Sequence, residues 1–252
     1  MKRFLIPLLA LFMLALLPAM AEQATVTLAE PLQGVYTWPE GSTEADALYV
    51  YRYSYPQLEG DSDVAQLINE TYRYAVDDAL GFEVPMLASG MTPGDPQKVV
   101  SIRHEITCHT AEHLSVCIIK EVAVGGESIT VVSGHVFSLK GSNAGRITNL
   151  PVYMGLLDAD ETDEWLITRQ TAKADKLVRS LVWAQMEAEG AAMGLYDDLT
   201  YEEVEAGFYP EEDFYLTAEG DVCFYFQAGV VAPEEQGLIT FTFPMWYLLD
   251  EL

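Results

Sequence analysis

Cysteine and positive charge are scarce in this chain, and no motif in it assigns a reaction. Its 252 residues include 3 cysteines, and 13 Lys and Arg stand against 39 Asp and Glu. Cys108, Cys117 and Cys223 are odd in number, so at least one thiol stays unpaired or pairs outside the chain. Such sparse use means that stability rests on apolar burial and not on disulfides. A formal charge of −26 repels nucleic-acid backbones and anionic membrane surfaces. It leaves a cationic protein, metal ions or an uncharged glycan as partner classes, beside the plain role of keeping a domain soluble.

Phosphate-binding glycine loops, dinucleotide fingerprints, internal repeats and low-complexity segments are also missing. The densest set of chemistry-bearing side chains is His104, Cys108, His109, His113 and Cys117, all zinc-ligand types. On a hairpin whose apolar faces match, Cys108 and Cys117 point to opposite faces. A slip of one residue would align His104, Cys108, His113 and Cys117, but as two pairs about 13 Å apart, too far for a tetrahedral ion. Asp158-x-Asp160 opens like a calcium loop, yet Asp163 stands where glycine is needed and Arg169 where the bidentate Glu belongs. Ser133-Gly134-His135 lies on an apolar strand, with no strand-turn-helix elbow and no third group to orient the imidazole. The expectation is a protein without catalytic residues, metal or cofactor.

Lys2 and Arg3 precede an apolar run from Phe4 to Leu17 that closes in Ala19-Met20-Ala21. This is the pattern of a secretory signal peptide over residues 1–21. The Pro18 break and the small-x-small site favour cleavage over retention as an anchor, and no later run approaches membrane-spanning length. The expected product is secreted, without further membrane attachment.

Alternation predicts a strand over Ala47 to Tyr55, with Tyr49, Tyr51, Tyr53 and Tyr55 on one face. Such a row is either a platform for sugar rings or, more commonly, the inner side of a strand. Asp61-Ser62-Asp63 supplies the N-cap of a helix running to about Leu80 and stopped by Gly81, with Gln66 positioned for a capping box. Pro85 to Pro96 then reads as a surface loop. Strands follow over Lys98 to Cys108, Leu114 to Val122 and Ser128 to Lys140. A long helix from Thr162 to Glu189 buries Ala174, Leu177, Val178, Leu181, Ala184 and Ala188. Its Arg169, Lys173, Lys176 and Arg179 make a basic strip that is either a docking site or is paired with neighbours such as Asp175. A short helical turn over Thr200 to Ala206 leads to a hairpin around Glu219-Gly220 and a last strand from Leu238. These segments predict an α+β fold in two lobes of antiparallel sheet, each packed against a helix.

Taken in order, Tyr55-Pro56-Gln57, Ile68-Asn69, Gly125-Gly126 and Phe137-Ser138-Leu139-Lys140 resemble a secreted domain of unknown function. Asp213-Phe214-Tyr215-Leu216, Phe224-Tyr225-Phe226 and Val231-Ala232-Pro233 with Gly237 resemble the domain that follows it. The pair is similar to the ectodomain of RsiV-type anti-sigma factors and to the N-terminal region of PdaC-type peptidoglycan deacetylases. The resemblance implies an N-terminal lobe over residues 22–157, a C-terminal lobe over 158–252 and a bacterial cell-envelope protein without catalysis of its own. The anti-sigma factor ectodomain is a receptor for lysozyme, a cationic protein. With only Met1 to Arg3 ahead of the apolar run and no deacetylase domain behind, the expectation is a free-standing binding domain for protein or cell-wall material. A lysozyme-inhibitor-like protein and an unrecognised cell-wall hydrolase are the alternatives. The family loop that supplies partner contacts corresponds here to Val231, Pro233, Glu234, Glu235 and Gly237, with Glu234 standing where the family carries an aromatic.

Overall fold

The alternating tyrosines build the strand on which the first lobe is assembled. The computed structural model describes residues 26–252, so the expected signal peptide lies outside the described residues. Strand β1 (Leu32–Trp38) pairs antiparallel with β2 (Tyr49–Tyr55). In β2, Tyr49, Tyr51 and Tyr55 are buried and Tyr53 is half-buried. The rings run in sequence, with Tyr51 and Tyr53 5.7 Å apart and Tyr55 and Tyr72 5.2 Å apart. The row faces the core and is no sugar platform. Gly34 of β1 lets the Tyr53 ring lie directly across the strand, where a Cβ would overlap it.

Helix α1 (Asp63–Asp78) starts at Ser62, whose side chain accepts from the Ala65 amide. Gln66 donates instead to the Asp61 carbonyl, so the expected capping box does not close. Gly81 does not stop the helix either. The chain continues through a wide π-turn over Ala79–Glu83 into α2 (Val84–Ser89), because Ala79, Val84 and Ala88 are buried and hold it on the sheet. The Val84 amide reaches back five residues to Ala79, and the widened turn accommodates Pro85, which has no amide to give. The first part of the expected surface loop is therefore helical.

This helical segment carries the chain to β3 (Lys98–His109), which lies parallel to β2. Strands β4 (His113–Val124) and β5 (Glu127–Ser138) complete the antiparallel side of a sheet ordered β1-β2-β3-β4-β5. Val100, Ile102, Leu114, Val116, Ile118 and Phe137 turn to the helix side and form one core with Ile68 and Tyr72. A bulge between Ile106 and Cys108 shifts the β3–β4 register, so that Cys108 pairs with Ser115. Cys108 and Cys117 consequently share the far face of the sheet, contrary to the opposite faces expected from a regular hairpin. An extra residue inverts every side chain beyond it.

After α3 (Leu150–Tyr153), helix α4 (Glu164–Met193) is capped by Asp163 and ends at Gly194 in the left-handed region, φ 72°. Its buried stripe is Ala174, Val178, Val182 and Met186, together with Asp175, whereas Ala184 and Ala188 of the expected stripe are exposed. Helix α5 (Tyr201–Gly207) begins with a closed capping box between Thr200 and Glu203. Strands β6 (Phe214–Leu216), β7 (Val222–Phe226) and β8 (Ile239–Phe243) form an antiparallel sheet in that order, followed by α6 (Met245–Asp250). Phe214, Phe224, Phe226, Phe241 and Leu248 join the α4 stripe in a second core, and Cys108 and Val136 of the first lobe belong to it as well. The two-lobed α+β architecture stands. Among the described residues no helix is long and apolar enough to cross a membrane.

Candidate functional site

The lobes meet where the far face of the five-stranded sheet and the outer edge of β5 reach β6 and β7. Ser115, fully buried, accepts from the Leu216 amide at 2.9 Å and from the Thr107 hydroxyl at 2.8 Å. The Gln227 amide grips the edge of β5 at one residue, accepting from Val132 N at 3.0 Å and donating to Val132 O at 2.7 Å. The Tyr225 hydroxyl accepts from Gly134 N at 2.9 Å. Gly134 has no room for a side chain, since a Cβ there would overlap the Phe214 carbonyl and lie 2.8 Å from its carbon.

Beside this seam is a recess of about 550 Å³. One wall is β5 from Val131 to His135; Asn143, Ile147, Thr148 and Asn149 of the following loop, with Val152, form another. Glu211, Glu212, Asp213 and Phe214 close the third side, and Tyr225 and Gln227 contribute from β7 and its exit. The loop wall is ordered by its own bonds: Asn143 donates to Thr148 at 2.8 Å, Thr148 N donates to Val136 O at 2.7 Å, and Asn149 caps α3. No Lys or Arg lines the recess.

The acidic wall is electrostatically loaded. Asp213 accepts from the Tyr209 amide at 2.9 Å. Burial nevertheless raises its pKa, Glu211 and Glu212 add to the rise, and only the Tyr209 bond opposes it. Behind Glu211 stands Asp175 of α4, 8% exposed. Burial, and then the neighbouring Glu211 carboxylate, push Asp175 up to about 7, while Arg179 pulls the other way. Asp175 Oδ1 and Glu211 Oε2 are both buried without a hydrogen-bond partner, so a proton kept on Asp175 relieves the repulsion between the two groups. Arg179 itself donates to the Phe208 carbonyl at 2.9 Å. Asp175 is thus not the surface partner of the basic strip that the sequence suggests. Within that strip Arg179 turns inward, and Arg169 lies over the Trp165 ring at 5.2 Å.

His135 lines the recess but works elsewhere. Its ring stacks on Tyr72 and its Nδ1 is hydrogen bonded to the Tyr72 hydroxyl at 3.3 Å, while burial lowers its pKa to about 4. Ser133 has no bond to it. The zinc-ligand types are dispersed: His104 Nδ1 is bonded to Ser54 O at 2.9 Å, His113 packs on Tyr153, and Cys108 and Cys117 are buried with free thiols, as is Cys223. Among the described residues no three metal-ligating side chains converge.

The loop expected to make partner contacts is partly structural. Val231 is buried in the second core and its carbonyl accepts from Tyr196 N at 3.1 Å. Pro233 is half-buried, Glu234 and Glu235 are exposed on a 3-10 turn, and Gly237 closes it at φ 71°. The recess carboxylates were not among the expected site residues. Their only local signal is the run Glu211-Glu212-Asp213 ahead of Phe214, and nothing local links it to Asp175.

Fold and recess together define a two-lobed α+β domain with an acidic cleft at the lobe junction. Residues 165–245, most of the C-terminal lobe, match the family described as a protein of unknown function, DUF3298. A DUF3298 family protein from Pseudomonas aeruginosa PAO1 is similar over 90% of this chain and 93% of its own, at 13% identity and a TM-score of 0.52. A member of the same family from Bacteroides fragilis NCTC 9343 aligns over the same shares at 15% identity and a TM-score of 0.49. At 13% identity the likeness to the Pseudomonas protein is one of fold. No curated protein matches the chain.

Proposed function

We propose that this is an extracytoplasmic, non-catalytic binding domain that captures a cationic protein at the acidic junction of its lobes. The carrying observation is the recess wall of Glu211, Glu212 and Asp213, with no basic side chain among the lining residues. A chain charge of −26 extends the attraction beyond the recess and speeds encounter. The resemblance to lysozyme-binding ectodomains and the signal-like residues 1–21 support the same reading. A hydrolase is less well supported. The titratable groups here are committed to one another or to the scaffold, Asp175 to Glu211, Asp213 to Tyr209 and His135 to Tyr72, and none forms a nucleophile-base pair.

Lysozyme is the direct probe. Calorimetric titration of the chain lacking residues 1–21 should give a complex that weakens steeply from about 0.05 M to about 0.5 M salt. Glu212→Lys, at an exposed position, should weaken it by about tenfold. An absence of binding at the lower salt would sink the reading.

The loop is a separate question. If Glu234 and Glu235 join the interface, the pair Glu234→Lys with Glu235→Lys should weaken capture by at least about tenfold. Unchanged affinity would remove the loop from the contact surface.

A further inference from the structure

Strand β5 is an outer edge of its sheet, and half of that edge is already capped. Val132 exchanges both backbone bonds with Gln227, and Gly134 N donates to Tyr225. Val136 O accepts from Thr148, Ser138 O accepts from Gly145, and Ser138 N donates to Arg146 O. The outward-facing residues are therefore the even-numbered ones, as the antiparallel ladder with β4 requires. By the same alternation Ser128 and Thr130 also present N–H and C=O outward. Among the described residues these groups have no partner, and all of Glu127 to Val131 is exposed.

Natural sheet edges are usually blunted by proline, lysine, bulges or a covering segment. This one runs Ser128-Ile129-Thr130-Val131-Val132, rich in β-branched residues, with Ile129 63% and Val131 43% exposed. Val131 is also a wall residue of the acidic recess. Thr130 stands two residues, about 7 Å, from Val132, where Gln227 takes over the edge. The open edge thus runs into the recess, whereas no residue of β1, the sheet's other edge, lines it.

We infer that an extended basic segment of the partner protein adds as a strand to Ser128 and Thr130 and delivers a Lys or Arg side chain to Glu211, Glu212 and Asp213. This rests on the reading of the recess as a cation-binding site and adds to it the conformation and chemistry of the ligand. The main chain of the segment takes the free N–H and C=O groups. Its apolar side chains lie beside Ile129 and Val131, and charge complementarity at the recess sets which residue follows.

A synthetic heptapeptide alternating Val and Lys is the probe, read by fluorescence anisotropy at low salt. Thr130→Pro removes one outward N–H and leaves the ladder to β4 intact, the one situation in which a strand tolerates proline. It should weaken peptide binding by about tenfold, whereas Thr130→Ala should leave it within about twofold because the backbone is unchanged. Hydrogen exchange of wild-type Ser128 and Thr130 amides should slow when peptide is present, a result that needs no variant. Binding that is lost in Glu212→Lys but indifferent to Thr130→Pro, with no change in exchange, would overturn strand addition and leave the recess reading standing. Failure of the peptide to bind while lysozyme still does would also overturn it. If neither binds, both readings fall.

Discussion

Gly134→Ala should destabilise the protein by about 3 kcal/mol and lower its melting temperature by about 10 °C. At most glycine positions in this chain an added Cβ would meet no neighbouring atom closely, but here it would overlap the Phe214 carbonyl and meet its carbon at 2.8 Å. That atom is backbone at the start of β6, paired with Phe224 of β7, so it cannot swing aside as a flexible side chain would. Relief requires the second sheet to move away from β5. Such a shift stretches the Gly134 to Tyr225 bond of 2.9 Å and the Leu216 to Ser115 bond of 2.9 Å. It also loosens the shared packing of Cys108 and Val136 in the second core. Chemical denaturation followed by near-ultraviolet circular dichroism measures the effect. A variant with wild-type stability would mean that the seam is not the tight contact described.

Asp175→Asn should remove the loss of stability that this carboxyl contributes as pH rises from about 4 to about 7, leaving the opposing gain from buried His135. The raised pKa means that the folded protein holds a proton which the unfolded chain releases near 3.8. For an acid shifted upward, the associated stability is present below the unfolded value and is lost as pH rises through about 7. A rise from 3.8 to about 7 corresponds to about 4 kcal/mol. Solvent screening at the adjoining recess and the Arg179 charge leave about 2 kcal/mol of this. Asparagine does not ionise and can donate an N–H to Glu211, so the variant should be the more stable protein at pH 8 and little changed at pH 4. Thermal melts of both proteins across that range decide the matter. Parallel pH profiles would show that Asp175 does not hold its proton toward neutral pH.

Alternation and helical periodicity report whether a position is buried, and that much was legible. They located β2 to β5 within a few residues, α1 and α4 by their apolar stripes, and the start of α1 to Asp61-Ser62-Asp63, of which Ser62 is the cap. The first residue of α4 fell two positions later than expected, at Glu164. Other features were hidden because local signals conflicted with packing. Gly81 is an ordinary stop signal, but buried Ala79, Val84 and Ala88 carry the helix through it. The bulge before Cys108 leaves the alternation of β3 superficially regular while reversing the side chains that follow.

The sequence by itself determined the class of fold, the dependence on apolar burial and the net acidity, because each is a property of composition or of residues a few positions apart. Tertiary structure alone decided where the acidic recess is placed. Asp175 and Glu211 belong to different elements, Gln227 reaches Val132 and Tyr225 reaches Gly134 across the lobe junction, and Val231 turns into the core beside two exposed acids. Periodicity marks a face as buried without saying which other face covers it. A recess made by two lobes exists only once those faces have met.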